Sequence, residues 1–198
     1  MKLVIASRNE GKLREFEQLL ADSPLEPVSL AAYPDLPEIE ETGTTFAENA
    51  AIKAETVARI TGELALADDS GLEVDALGGE PGVYSARYAG VGLGDAANNQ
   101  KLLDKLADVP EEKRTARFWA VIAIARSGMK TQFAQGSVEG RIAFSLQGRG
   151  GFGYDPLFFV TEAGKTFAQM KAEEKNQISH RAKAMAKAME ILREISHK

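Results

Sequence analysis

Two adjacent carboxylates, Asp68 and Asp69, close a short apolar run and constrain the fold more than any other feature of this chain. The run, Leu64–Ala67, is continuous, which is typical of a buried strand. Ser70 and Gly71 follow it and predict a turn. Open α/β folds carry functional groups at the carboxyl ends of their strands, so we expect a site here. Because side chains alternate along a strand, the two carboxylates should point to opposite faces. One can then face a ligand while the other braces the loop or binds backbone N–H groups.

The residue types present limit the chemistry of any such site. The chain has no cysteine, and its two histidines are His180 and His197. This excludes a site built on cysteine or on paired histidines. A metal ion would therefore be held mainly by carboxylates, which favours a hard cation such as Mg²⁺ or Mn²⁺.

The composition predicts an ordinary soluble domain. A chain of 198 residues can bury a real core, as one domain or as two small lobes. Its net charge is −5 with neutral histidine, and an acidic chain lacks the basic surface that general nucleic-acid binding needs. The N-terminal apolar run is too short for a signal peptide, and no run approaches the length of a membrane span. We expect a cytoplasmic protein without a nucleic-acid or membrane partner.

Strand and helix patterns alternate along the chain and predict a mixed α/β sheet in a single domain, residues 1–198, with two lobes and no linker. The predicted strands are Leu3–Ala6, Pro27–Leu30, Leu64–Ala67, Phe118–Ala125, Thr131–Gln135, Val138–Leu146 and Leu157–Val160. The predicted helices follow the N-cap residues Asn9, Thr45, Asp95 and Ser179.

The first loop, Ser7–Lys12, joins a predicted strand to a predicted helix. Helix N-termini offer free N–H groups and a positive dipole end, so they bind phosphate, and Lys12 adds a positive charge. The segment is no P-loop, because it has a single glycine and Leu13 stands where Ser or Thr should follow the lysine. Both a plain capped turn and an anion site fit this pattern.

The second helix has a clear start, because Thr45 and Glu48 have the spacing of a capping box. Asn49, Lys53 and Thr56 follow on one polar stripe, at i, i+4 and i+7. Such a stripe has two explanations. It is a solvated face, or it faces a ligand and brings Lys53 beside acidic residues such as Glu41. Acidic residues before a helix also fit a purely structural reading, since the helix dipole favours them there.

Two further segments carry candidate ligand contacts. The glycine-rich loop, Gly148–Pro156, either forms structural turns or exposes Phe152 and Tyr154 as a surface for a planar ligand. Stacking on such a ring is worth roughly 1–3 kcal/mol per base. His180 and Arg181 begin the last helix. A lone histidine at a helix start is more often structural than catalytic, and no nucleophile-elbow motif supports a hydrolase triad.

Together these segments resemble the inosine/xanthosine triphosphate pyrophosphatases, which act on non-standard purine nucleoside triphosphates. The resemblance covers nearly the whole chain, in the family's order, and no site position departs from it. The matching motifs are Ser7–Lys12, Glu41–Ala50 with Lys53, Ala67–Gly71, Leu77–Gly79, Pro81–Gly82, Ser85–Tyr88, Gly150–Pro156, Glu174–Lys175 and Ser179–Arg181.

The resemblance implies a two-lobed α/β fold around a long central sheet, with the active site in the cleft, usually as a homodimer. It assigns Mg²⁺ to Glu41 and Asp69 and makes Asp69 the proton acceptor. It implies that the triphosphate is held by Ser7, Arg8, Asn9, Glu10, Gly11 and Lys12, with Lys53 as a further substrate contact. It implies that the base is held by Ser70, Phe152, Gly153, Tyr154, Asp155, Lys175, His180 and Arg181. The products would be a nucleoside monophosphate and pyrophosphate.

The residues agree with this chemistry, and three other functions stay open. Water must attack the α-phosphorus while pyrophosphate leaves, and Lys12 and Lys53 could stabilise the leaving group. Donors from Arg181, Lys175 or loop N–H groups would match a purine O6 and leave an adenine amine unmatched, at roughly 1–3 kcal/mol for each unmet donor. The alternatives are a pyrophosphatase for a modified pyrimidine or methylated base, a non-catalytic nucleotide-binding module, and a monophosphatase.

Overall fold

A computed structural model of the chain describes residues 1–196 and confirms the predicted mixed α/β class. His197 lies outside the described residues. The strands are β1 (Lys2–Ile5), β2 (Glu26–Ser29), β3 (Leu64–Val74), β4 (Thr115–Ala125), β5 (Gln132–Ile142), β6 (Phe158–Val160) and β7 (Lys165–Thr166). The α-helices are α1 (Glu10–Leu20), α2 (Phe46–Thr61), α3 (Gly94–Lys105), α4 (Ala172–Ile178) and α5 (His180–Ser196).

The strands form one mixed sheet in the order β2-β1-β3-β4-β5-β6-β7, with helices flanking it. Strand β1 pairs in parallel with both β2 and β3. Strand β6 pairs antiparallel with both β5 and β7. Within residues 1–196, no helix is long and apolar enough to cross a membrane.

The chain divides into two compact units, and unit 1 comprises Met1–Asp69, Ala120–Gly136 and the segment from Arg181 onward. Strand β1 from Leu3 onward and the Leu64–Asp69 part of β3 are buried on both faces, as the continuous apolar runs predict. Leu3 and Leu64 pack in one core cluster with side chains of α1 and α5, such as Phe16. The alternate residues, such as Val4, pack in a second cluster with the alanines and Val57 of α2.

Unit 2 comprises Ser70–Trp119 and Ser137–His180. Its core is centred on the rings of Phe118, Phe158 and Phe167, and the Phe118 and Phe158 centroids lie 4.6 Å apart. Arg114 is buried beside this core and donates hydrogen bonds to the backbone carbonyls of Leu106, Val109, Ile142 and Ala143. Burial lowers the pKa of Arg114, and the four carbonyls accept from four of its five N–H groups, which offsets the cost of burying them.

The helix starts predicted at Asn9 and Thr45 are confirmed. The side chain of Asn9 accepts a hydrogen bond from the Lys12 backbone N–H at 3.0 Å and caps α1. Thr45 and Glu48 form the capping box of α2. Gly62 ends α2 in the left-handed conformation with a φ of 73°, which glycine adopts without a steric cost.

Three local predictions are wrong, two because tertiary burial overrides turn propensity and one because the carboxylate of Asp95 bonds a distant backbone N–H group. Ser70 and Gly71 form no turn, since β3 continues to Val74 and Leu72 and Val74 are fully buried. The two strands predicted on either side of Gly136 are the single strand β5. Asp95 is no N-cap: it lies in the first turn of α3, which has no side-chain cap.

Candidate active site

The strongest constellation in unit 1 centres on the ammonium group of Lys53. Its Nζ lies 2.8 Å from Glu41 Oε1 and 2.9 Å from Asp69 Oδ1. It also donates to the backbone carbonyl of Asp68 at 2.9 Å. The α2 stripe is therefore not a solvated face at this position, and of the two alternatives that the sequence left open, the one in which Lys53 meets acidic residues holds.

Asp69 occupies the end of the unit 1 portion of β3 and is buried. Burial raises its pKa, and the negative charge of Glu41 adds to the effect, although Lys53 and Lys12 oppose it. The pKa of Lys53 is raised because Asp69 and Glu41 together outweigh the opposing effect of its burial. Asp69 Oδ2 is buried and has no hydrogen-bond partner among residues 1–196, which is the arrangement expected of a group that meets a ligand.

The side chain of Asp68 lies on the opposite side of β3 from that of Asp69 and forms ion pairs with two cationic side chains. Its Oδ2 lies 2.7 Å from Lys12 Nζ and 3.2 Å from a terminal nitrogen of Arg181. Burial by itself would raise the pKa of Asp68, but Arg181 and Lys12 hold it well below its usual range. Arg181 also forms an ion pair with Glu15. Asp68 therefore braces cations, where the sequence suggested a loop or backbone N–H groups.

The phosphate-loop candidates lie at the start of α1. Ser7 Oγ accepts a hydrogen bond from the Asn9 backbone N–H at 3.2 Å, and Arg8 donates to the Leu36 carbonyl at 3.0 Å. Arg8, Asn9 and Glu10 are exposed, whereas Ser7, Gly11 and Lys12 are half-buried. Burial lowers the pKa of Lys12 despite the charge of Asp68.

The segment that carries Glu41 is fixed to α2 by buried and capping contacts. Asn49, which is fully buried, accepts a hydrogen bond from the Gly43 backbone N–H at 2.8 Å. A Cβ on Gly43 would lie 2.7 Å from the Asn49 side-chain oxygen, closer than real contacts allow. The carboxylate of Glu48 accepts from the backbone N–H of Thr44 at 2.7 Å. These bonds set the position of Glu41 relative to Lys53.

The second candidate group lies in unit 2 and is built on Asp155. Its Oδ2 accepts hydrogen bonds from Lys175 Nζ at 2.6 Å and from the Phe152 backbone N–H at 3.0 Å. Lys175 Nζ also lies 5.0 Å from the centre of the Phe152 ring, within cation–π range. A Cβ on Gly151, whose φ is +71°, would lie 1.9 Å from Asp155 Oδ2. Only glycine allows the loop to pass this close to the carboxylate.

The exposed aromatic surface predicted from Phe152 and Tyr154 is wrong for Tyr154, which is buried. Its hydroxyl donates to the Ser85 carbonyl at 2.7 Å. Phe152 is half-buried and stays a candidate for stacking. His180 is buried and stacks on Phe118 with ring centroids 4.7 Å apart and an 11° interplanar angle. Ser70 is half-buried in β3, directly after Asp69.

The structure thus gathers the candidates into two groups, each within its own unit. Unit 1 brings together Glu41, Lys53, Asp69, Lys12 and Arg181, and unit 2 brings together Phe152, Gly153, Asp155 and Lys175. Sequence reasoning missed Glu15 as a partner of Arg181, 166 residues away. It also missed the contact of Asp95 with the glycine-rich loop. No local sequence pattern predicts either contact.

Glu41 and Asp69 fit a shared Mg²⁺ site. Proteins often hold Mg²⁺ by one or two carboxylates and leave its other positions to substrate phosphates and water. The buried Oδ2 of Asp69, which has no partner among residues 1–196, suits this role. No group of three or more His, Cys, Asp or Glu side chains in that range could hold a metal. The protein would therefore supply only part of the coordination.

Comparison with known proteins gives close, full-length relatives. A dITP/XTP pyrophosphatase of Listeria monocytogenes serotype 4b is 55% identical over 197 residues, which cover 100% of this chain and 97% of that protein. A protein of the same name from Desulforamulus reducens is 57% identical over 192 residues, covering 97% and 96% of the two chains.

A solved structure and a family model agree with these relatives. The structure of a HAM1 protein from Coxiella burnetii matches with a TM-score of 0.89 and 42% identity, covering 98% of this chain and 99% of that one. The Ham1 family model matches residues 3–191. The resemblance drawn from the motifs is therefore confirmed, and the chain belongs to the Ham1 family.

Proposed function

We propose that this protein hydrolyses ITP, dITP and XTP to the nucleoside monophosphate and pyrophosphate, and so removes non-standard purines from the nucleotide pool. The observation that carries the proposal is the contact of Lys53 with Glu41 and Asp69. The other carboxylate oxygen of Asp69, Oδ2, is buried and lacks a partner among residues 1–196. The pyrophosphatase names of its full-length relatives support the substrate class.

In this proposal Asp69 is the catalytic base. A general base is most effective when its pKa lies near the pH at which the enzyme works. The pKa of Asp69 is raised and so is shifted toward that pH. Asp69 orients the water that attacks the α-phosphorus and accepts its proton. Glu41 and Asp69 would hold Mg²⁺, or Mn²⁺ as a substitute, and the ion would supply charge stabilisation to the phosphate oxygens.

The triphosphate is held by cations and by the start of α1. Lys12 and Lys53 offset the charge of the leaving pyrophosphate. Ser7, Arg8, Asn9, Glu10 and Gly11 surround the N-terminal N–H groups of α1, where the helix dipole favours an anion. The resemblance also implies a base contact for Arg181. However, both of its terminal nitrogens bond carboxylates, so we assign it to positioning Asp68 and Lys12.

The purine base is held by the unit 2 group. Lys175 offers an ammonium donor for a purine O6, and the Phe152 ring offers a face for stacking. Gly153, Tyr154, Asp155 and His180 shape this group, and Ser70 contributes from β3. An adenine amine would find a donor where it needs an acceptor, at a cost of roughly 1–3 kcal/mol for an unmet group. The same proposal places the enzyme in the cytoplasm as a homodimer, which sedimentation equilibrium tests directly.

A pyrophosphate-release assay across about ten nucleotides tests the activity. We expect release from ITP, dITP and XTP to exceed release from ATP by about tenfold or more in kcat/KM. Release of orthophosphate would indicate a monophosphatase instead. Calorimetric binding without release would indicate a nucleotide-binding module, and a preference for modified pyrimidines would reassign the base site.

A further inference from the structure

We infer that the first turns of α3 hold the glycine-rich loop in its working position, with Asp95 and Asn99 as positioning residues for base recognition. We call these two residues the α3 clamp. The inference rests on the proposed function, in which the loop carries the base-binding residues Phe152 and Asp155.

The α3 clamp holds both backbone polar groups of Gly153. The carboxylate of Asp95 accepts a hydrogen bond from the Gly153 N–H at 2.7 Å. The side-chain amide of Asn99 donates to the Gly153 carbonyl at 2.8 Å and to the Asp95 carbonyl at 2.9 Å. Gly153 has a φ of +61°, a conformation that glycine reaches freely but does not hold by itself. Two bonds to one residue therefore fix the direction of the peptides on either side.

The neighbouring loop residues are held by other contacts, one within the loop and one to Ser85. The Phe152 N–H donates to Asp155, and the Tyr154 hydroxyl donates to the Ser85 carbonyl. Three successive residues, 152 to 154, are thus each fixed by a different contact. The α3 clamp supplies the middle one, so its loss should let the loop turn about Gly153 and move the Phe152 ring away from Lys175.

The α3 clamp is anchored, and one of its two residues is exposed, which makes it testable. Asn98 accepts from the Ala89 N–H at 2.7 Å and donates to the Ala86 carbonyl at 3.2 Å, so the start of α3 is itself fixed. Asp95 is exposed, whereas Asn99 is buried. Replacing Asp95 therefore removes a loop contact without opening a cavity.

The experiment compares Asp95→Ala, Asp95→Asn and Asp104→Ala by calorimetry with IMP and, separately, with pyrophosphate. Asp95→Asn keeps an oxygen that can accept from Gly153. Asp104→Ala is the matched control, because Asp104 is an exposed acid on the same helix whose carboxylate accepts a hydrogen bond from the Gln100 side chain. We expect Asp95→Ala to weaken IMP binding by about tenfold. We expect pyrophosphate binding to stay within about twofold, Asp95→Asn to recover most of the IMP affinity, and Asp104→Ala to match the wild type.

Two results would overturn the inference. One is unchanged IMP affinity in Asp95→Ala. The other is an equal loss of IMP and pyrophosphate affinity, because that would show a general structural role. Failure of the proposed function has a different signature, since the wild-type protein itself would then release no pyrophosphate from ITP.

Discussion

Replacing Arg181 by methionine should destabilise the protein strongly while leaving its choice of base unchanged. The Arg181 side chain is 2% exposed and that of its partner Asp68 is 0% exposed, so the variant leaves a carboxylate buried beside a missing cation. Methionine keeps most of the apolar volume of the arginine stem, so the effect reports on the ion pair. Glu15 loses its ion pair with Arg181 as well.

The magnitude follows from the burial of the pair. Removing one partner of a buried ion pair costs about 3–5 kcal/mol, because the remaining charge is uncompensated. Lys12 stays beside Asp68 at 2.7 Å, which places the expected loss toward the lower end of that range. For a chain of this size each kcal/mol lowers the melting temperature by about 2–4 °C. We therefore expect a fall of about 6–12 °C in a calorimetric scan.

Arg14→Met is the matched control, because Arg14 lies on α1 with a 69% exposed side chain, 3.7 Å from Glu10. Exposed pairs contribute about 0–1 kcal/mol, so this variant should melt close to the wild type. The double variant Arg181→Met/Asp68→Asn should recover part of the loss, since it removes the buried carboxylate that Arg181 no longer helps to neutralise. Equal melting of Arg181→Met and Arg14→Met would refute the ion-pair reasoning. A fall in kcat/KM for ITP at least tenfold larger than for ATP would return Arg181 to base recognition.

Two further predictions concern the Lys53 constellation. Asp69→Asn should lower turnover by about 10²–10⁴-fold, because the amide cannot accept the proton. The melting temperature, measured on the same preparation, should change little, since Oδ1 can still accept from Lys53. A larger effect of Asp68→Asn on turnover would reverse the roles of the two carboxylates. Chelation with EDTA should abolish pyrophosphate release, and added Mg²⁺ or Mn²⁺ should restore it; full turnover in metal-free buffer would contradict the proposed carboxylate site.

Local patterns were enough to predict the elements that carry the unit 1 group. The capping box at Thr45 and Glu48 and the terminating Gly62 set α2 in register, and this places Lys53 on the correct stripe. The Asn9 cap likewise places Lys12 in the first turn of α1. These signals act over a few residues, so they can be read from the chain directly.

The contacts that complete the two groups depend on distant segments and could not be predicted in that way. Arg181 meets Asp68, 113 residues away in the chain, and no local preference distinguishes this partner from other acids. Asp95 looked like a helix cap because aspartate favours that position, yet its carboxylate bonds Gly153, 58 residues away. The continuation of β3 through Ser70 and Gly71 reflects the burial of Leu72 and Val74, which a turn propensity does not register.

The three acceptors of Lys53 have a consequence for the order in which ligands bind. The ammonium neutralises the same two carboxylates that a divalent cation would use, so the cation must compete with it. An incoming phosphate offers the ammonium another anion and so frees the carboxylates. The two ligands are therefore thermodynamically linked, and each should raise the affinity for the other by the same factor. Mg²⁺ should accordingly bind more tightly with pyrophosphate present than alone, which titration of the cation with and without pyrophosphate measures.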